Sequence, residues 1–446
     1  MPDVDNPLAV SPATVEAFSR FIDSSPSSRH AAEQGAALLE RAGFTAIAAD
    51  GEGPWDASPG GHYLLRGGSL MAFVVPDNAG LDSAFRIIGC HTDSPGLKLK
   101  DIGTLNQHGF SQAAVEVYGG AILSSWFDRE LRLAGVVATA DGALHTIDTG
   151  PVMRVANLCI HLDREKNNSF SPDRQTHMQP IIAADADTDI MEIIAGIVGC
   201  RAGEIVGHDL ISALAEKPAV FGAHHNLLAA SRLDNLSSMW PALQALLHAA
   251  ATTGDTEIDF TGIPTPDNGD IAVLAAFDHE EVGSATRLGA QGPILSEVIT
   301  RTAAALGADR EHTARMIARS TCVSSDAAHS VHPNYAGHHD AINRPMMGRG
   351  PAIKANANQR YATEAETAAL FRRACRSAGV PSQVFVSHNG MPCGSTIGPL
   401  TATRLGIKTV DIGMPILSMH SAREMCATAD IGYLGRALAG YLSLGR

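Results

Sequence analysis

Six side chains spread along the chain, His91, Asp234, Glu280, Glu281, Asp326 and His420, are of the types that bind divalent cations, and each falls at an expected strand or helix end. A pair of zinc-like ions needs an imidazole and a terminal carboxylate for each ion, with one further carboxylate shared between them. A glutamate left over could act as a base. Two such ions ~3.5–4 Å apart clamp a water molecule and polarise a carbonyl, which is the machinery of amide hydrolysis. Taken singly, each residue has a plainer reading. Glu280 and Glu281 could belong to a solvated loop, His91 could be a hydrogen-bonded structural histidine, and Asp234 could cap a helix.

The elements around them are what a sheet-based site requires. The uninterrupted apolar run Ile271 to Phe277 precedes DHEEVGS at Asp278 to Ser284, as expected of a buried parallel strand that delivers side chains to the rim of a sheet. Phe85 to Cys90 reads as a short strand ending in His91, with Asp93 two residues on to orient the imidazole. Met316 to Ser324 reads as a strand leading to Asp326, and Thr409 to Gly413 as one leading to His420. Leu236, Met239, Trp240, Leu243 and Leu247 recur at helical spacing, so Asp234 sits at a helix start. Ser11 to Gly43 reads as one helix, while Pro351 to Tyr361 and Met391 to Pro399 read as turn-rich loops. From Asp101 to about Asn226 short β-like pieces predominate. That pattern predicts a β-rich insertion at 101–226 between two parts of one domain, 1–100 and 227–446. Within it, Trp126-Phe127-Asp128-Arg129 and Arg154 to Arg164 mix apolar and charged side chains, which suits an assembly surface and at least as well ordinary core and surface.

Composition bounds the function class. A chain of 446 residues with 18% charged residues, 5% aromatics and 43 glycines suits an α/β protein with many turns. A formal net charge of −14 argues against non-specific nucleic-acid or anionic-membrane binding. No apolar run is long enough to span a bilayer, and MPDVDNPLAVSP lacks the basic and apolar regions of a secretory leader. Seven scattered cysteines without a C-x-x-C pair point to reduced thiols and a cytoplasmic protein.

Competing motifs fail. His279-Glu280 begins an H-E-x-x-H pattern, but Gly283 occupies the second histidine's place. Gly394-Ser395 is in the wrong register for a nucleophile elbow, and neither a phosphate loop nor a dinucleotide fingerprint occurs. In contrast, GCHTDSPGLKLK from Gly89, WFDREL, SRLDNL, DHEEVGS, SSDAAHSVHPNY, KANANQRYAT, MPCGSTIGP and MHSAREM follow one another in an order that resembles the aspartyl aminopeptidase family of dinuclear metallopeptidases.

The resemblance implies an α/β fold: a zinc-exopeptidase-type catalytic domain with a central mixed sheet flanked by helices, interrupted by a β-rich dimerisation domain. Dimers would assemble into a tetrahedral dodecamer. It further implies two divalent ions per subunit, Zn2+ first, with Mn2+ or Co2+ as alternatives. His91 and Asp326 would hold one ion, Glu281 and His420 the other, and Asp234 both. Glu280 would be the general base and Asp93 the residue orienting His91. His161 from a neighbouring subunit would help stabilise the tetrahedral intermediate, and Lys354 would lie near the pocket for an acidic substrate side chain. His279 is left without a role. GGAILSS at Gly119 to Ser125 and Asn389-Gly390 depart from the family's form.

The expected activity is removal of N-terminal Asp, and Glu as well, from peptides through a two-metal-activated water. A related amidase or deacylase would keep the site but tolerate a blocked α-amine. A non-catalytic scaffold would have lost a ligand or the base, and none is lost.

Overall fold

The runs Ser69–Val75, Phe85–His91 and Ile271–Phe277 are buried along their whole length, which suits only the middle of a sheet covered on both faces. The computed structural model describes residues 10–48, 51–251 and 256–445. The first nine residues, where no secretory leader was read, lie outside it. Among the described residues the central sheet has nine strands. Its heart is four parallel neighbours in the order Ile271–Phe277, Phe85–His91, Thr321–Ser325 and Lys408–Gly413. Ser69–Val75 and Ala352–Ala355 flank them antiparallel, so the sheet is mixed as expected.

The two-residue period of a strand divides its side chains between two cores. Ala272, Leu274 and Ala276 join Phe18, Leu39, Trp240 and Tyr441 under the helices Leu233–Ala249 and Thr428–Ser443. Ile271, Val273, Ala275 and Phe277 join Ile294, Val298 and Met316 on the opposite face. Each fully buried large apolar side chain contributes roughly 1.5–3 kcal/mol relative to exposure. The register is therefore tightly specified, because a one-residue slip would exchange the two cores.

A second sheet of seven strands runs between Gly96 and Leu214. It carries its own core of Leu97, Val115, Trp126, Leu133, Ile194 and Leu210. The β-rich stretch thus begins at Gly96, ahead of Asp101, and the strands Ala219–Phe221 and Leu227–Ala230 belong to a third, five-stranded sheet with Glu424–Ala427, Pro415–Leu417 and Ala328–His329. Trp126 and Phe127 are 3% and 9% exposed, so ordinary core is the correct reading of that pair. Leu158, Ile160 and Leu162 are exposed, in contrast.

Three local expectations are corrected. Ser11 to Gly43 is two helices, Pro12–Asp23 and Ser28–Arg41. The break falls at Pro26, which lacks an amide hydrogen and disfavours helix in the residue before it, and the Ser27 hydroxyl then caps the second helix by accepting from the His30 amide at 3.3 Å. Met316 belongs to the helix Arg310–Arg319 and the strand starts only at Thr321, since Met316 reaches the core from helical spacing. Ala352–Ala355 is a strand inside what reads as a loop, and it places Lys354 in the sheet. Among the described residues no helix is long and apolar enough to cross a membrane.

Candidate metal centre

Three strands of the central sheet release the candidate residues at one end of the sheet. Phe277 pairs with His91 in parallel register, so DHEEVGS and HTDS leave the sheet side by side. The neighbouring strand Thr321–Ser325 hands on directly to Asp326. Lys408–Gly413 presses against this turn so closely that a Cβ on Gly413 would stand 1.9 Å from the Asp326 carbonyl oxygen. Only glycine fits there.

Asp234 comes from a different element, the start of the Leu233–Ala249 helix. Its backbone is held from several sides. The Ser94 hydroxyl donates to the Asp234 carbonyl at 2.5 Å, and the Asn235 side chain donates to the Ser325 carbonyl at 2.9 Å. The buried Arg232 guanidinium donates to the carbonyls of Ser25 and Thr92. His420 comes from the loop between Pro415–Leu417 and Glu424–Ala427.

The result is two clusters joined through one carboxylate. His91 Nε2 lies 3.2 Å from Asp234 Oδ1 and 3.4 Å from Asp326 Oδ1. His420 Nε2 lies 3.4 Å from Asp234 Oδ2 and 3.4 Å from Glu281 Oε2. Nitrogen and oxygen ligands 2.0–2.1 Å from one tetrahedral ion stand ~3.3 Å apart, so both triads have the spacing of ligands around a common centre. The triads His91, Asp234, Asp326 and Asp234, Glu281, His420 could each hold an ion, and a third grouping joins His91 to Glu280 and Glu281. Asp234 Oδ1 and Glu281 Oε1 are buried with no hydrogen-bond partner among the described residues. Buried carboxylate oxygens require a donor or a cation, and this donor set of imidazole and carboxylate suits zinc.

Both imidazoles are turned by their other nitrogen. His91 Nδ1 lies 3.1 Å from the Asp93 carbonyl and His420 Nδ1 lies 3.2 Å from the Gly120 carbonyl. A carbonyl only accepts, so each Nδ1 carries the proton and each Nε2 is left facing the carboxylates. Asp93 does more than flank His91. Its side chain accepts the Glu280 amide at 3.0 Å, the Glu281 amide at 3.1 Å and the Tyr118 hydroxyl at 2.7 Å. Tyr118 ends the strand Phe110–Tyr118 of the second sheet and Gly120 follows it, so that sheet helps to aim both imidazoles. Neither was singled out in the sequence, where GGAILSS stood out only as a departure.

Charge crowding shifts the titrations strongly. Burial alone would lower the His91 pKa, but the facing Asp234, Asp326 and Asp93 carboxylates hold it well above its ordinary value. Burial likewise opposes ionisation of Asp234, yet His420 and His91 keep it well below the carboxylate range. Burial, reinforced by neighbouring carboxylates, pushes Glu280 up to about 8 and Glu281 well above its ordinary value. Cations close by would reverse these last two shifts by favouring the charged form.

The remaining expected residues divide. Lys354 is 3% exposed, its Nζ donating to Asp326 Oδ2 at 3.2 Å and lying 5.4 Å from the centroid of the Tyr361 ring. His161 is exposed on the loop after the Met153–Arg154 strand and does not join the convergent groups. His279 turns away from the clusters, with Nδ1 3.0 Å from the Thr286 hydroxyl. It shapes the loop that follows the strand.

A family model for aminopeptidase I zinc metalloproteases, M18, matches residues 21–441. The chain is 44% identical over 444 residues to a probable M18 family aminopeptidase 2 of Streptomyces avermitilis, covering 98% of this chain and 100% of the relative. It superposes on a chain of the cryo-EM structure of the Ape4 and Nbr1 complex with a TM-score of 0.89 and 33% identity, over 97% of this chain and 85% of that one. The corresponding values for the S. cerevisiae mApe1 dodecamer are 0.80 and 25%, over 96% and 95%.

Proposed function

This chain belongs to the M18 aminopeptidase I family of zinc metalloproteases, and from that premise we propose that it removes N-terminal Asp and Glu from peptides at a site of two divalent ions. The carrying observation is that the two oxygens of Asp234 face two different triads. In this reading His91 and Asp326 would hold one ion, Glu281 and His420 the other, and Asp234 would serve both. When bound, the ions supply Lewis acidity to the scissile carbonyl and make the attacking water more acidic.

The chain's own residues do the rest. Glu280 takes the proton of the attacking water and returns it to the leaving amine, a task for a carboxylate beside the ligands. Asp93 holds the Glu280 and Glu281 amides and the His91 imidazole, so base and ligands share one support. Lys354 adds a buried ammonium next to Asp326, and it would pair with the side-chain carboxylate of the substrate. His161 is assigned to the site of a neighbouring subunit in a tetrahedral dodecamer. Its exposure in its own chain, and the mApe1 dodecamer among the structural relatives, support that assignment. We assign the enzyme to the cytoplasm, in keeping with its seven free cysteines.

A panel of Asp, Glu, Ala and Leu anilides, with N-acetyl-Asp anilide alongside, tests this on zinc-reconstituted enzyme of measured oligomer mass. A charge-assisted pair is worth about 1.5–3 kcal/mol, so Asp and Glu should exceed Leu in kcat/KM by roughly 10- to 150-fold. The acetylated substrate should be inert. Preference for Leu would refute the acidic specificity, and turnover of N-acetyl-Asp anilide would favour an amidase or deacylase.

A further inference from the structure

Glu424 lies four residues beyond His420 in MHSAREM, outside every cluster able to hold an ion among the described residues, and is 2% exposed. The strand Glu424–Ala427 anchors it, with Glu424 paired in register to Ala230. Its two oxygens do separate work. Oε2 accepts the Asp234 amide at 2.9 Å and Oε1 accepts the His420 amide at 2.7 Å.

Those amides belong to the shared carboxylate and to a terminal imidazole, carried on elements remote in sequence. The backbone at both places is unusual. His420 has φ 66° and Arg232, just before the helix, has φ 58°, a left-handed conformation that costs a non-glycine residue of order 1–3 kcal/mol and persists only where the surroundings impose it. A single carboxylate spanning both amides fixes one ligand's backbone relative to the other, and with it the 3.4 Å between Asp234 Oδ2 and His420 Nε2.

Resting on the two-ion reading above, we propose that Glu424 is a positioning residue that sets the geometry of the ion held by Asp234, Glu281 and His420 without touching it. Glu424→Gln keeps the shape but turns one acceptor into a donor, which leaves one buried amide unpaired. Glu424→Asp keeps the charge but is too short to span both amides. Neither change touches His91 or Asp326.

The test is titration of metal-free wild type and both variants with Zn2+ against a chromophoric chelator, with thermal melting of the metal-free forms and kcat and KM of the reconstituted enzymes. Wild type should bind two ions. Each variant should bind one ion as wild type does and the other at least 10-fold more weakly, with kcat lowered, KM within about threefold, and metal-free melting unchanged. Two ions bound as tightly as in wild type by either variant would overturn the assignment. So would collapse of metal-free melting in both, because Glu424 would then serve the fold as a whole. Fewer than two ions on wild type would instead refute the two-ion reading, and this proposal with it.

Discussion

Glu280→Gln is expected to leave zinc content unchanged while kcat falls by about two to four orders of magnitude, the range assigned to a positioned general base. The geometry makes this substitution clean. Glu280 is held in place by its backbone amide on Asp93, and that contact survives the change. Two of the three groupings able to hold an ion among the described residues leave its side chain out, and the third joins it to His91 and Glu281, so the metal content of the variant also reports whether that third grouping is used. Glutamine has the same reach and no basic oxygen, so proton transfer is what it removes. Metal analysis of the purified variant beside its turnover checks the claim. Near-normal activity with full metal content would remove Glu280 from the role of base.

Asp234→Asn is expected to be more severe for metal binding. Each Asp234 oxygen faces a different imidazole, His91 at 3.2 Å and His420 at 3.4 Å. An amide nitrogen in either place would present a donor where a ligand oxygen is needed. Metal content should drop from two ions per chain to one or fewer, and activity to background. Stability reports the same loss through a different property. Zinc at a hundred times its Kd stabilises a folded site by about 2.7 kcal/mol, so wild type should melt higher with zinc than after chelation. The variant should lose most of that increment. Retention of two ions by the variant would mean that Asp234 does not bridge.

The parts of the site that could be read in the sequence are those where a strong local pattern marks the residue. Apolar runs that end abruptly in His, Asp or Glu identified His91, Asp326 and the Glu280-Glu281 pair, because a buried strand leaving a sheet has few other ways to look. His420 and Asp234 carried weaker patterns, and their partnership is visible only in three dimensions. Tyr118 donates to the Asp93 carboxylate, the Gly120 carbonyl faces His420 Nδ1, and Glu424 accepts the Asp234 and His420 amides. Each bond joins residues distant in sequence or held by loop geometry, and such bonds leave no periodicity. The misreading of Met316 has the same origin. Met316 was drawn into a strand by apolar character alone, whereas its helix packs it into the same core. For Trp126-Phe127 both an assembly surface and ordinary core were open, and the structure has the core: both side chains belong to the second sheet's apolar cluster.

The central claim is that two ions share Asp234. Anomalous diffraction at the zinc edge from crystals of reconstituted enzyme tests it most directly. The expected result is two peaks per chain, ~3.5–4 Å apart, with one Asp234 oxygen on each, His91 and Asp326 on the first, and Glu281 and His420 on the second. A single peak, or a second ion bound away from Asp234, would contradict it.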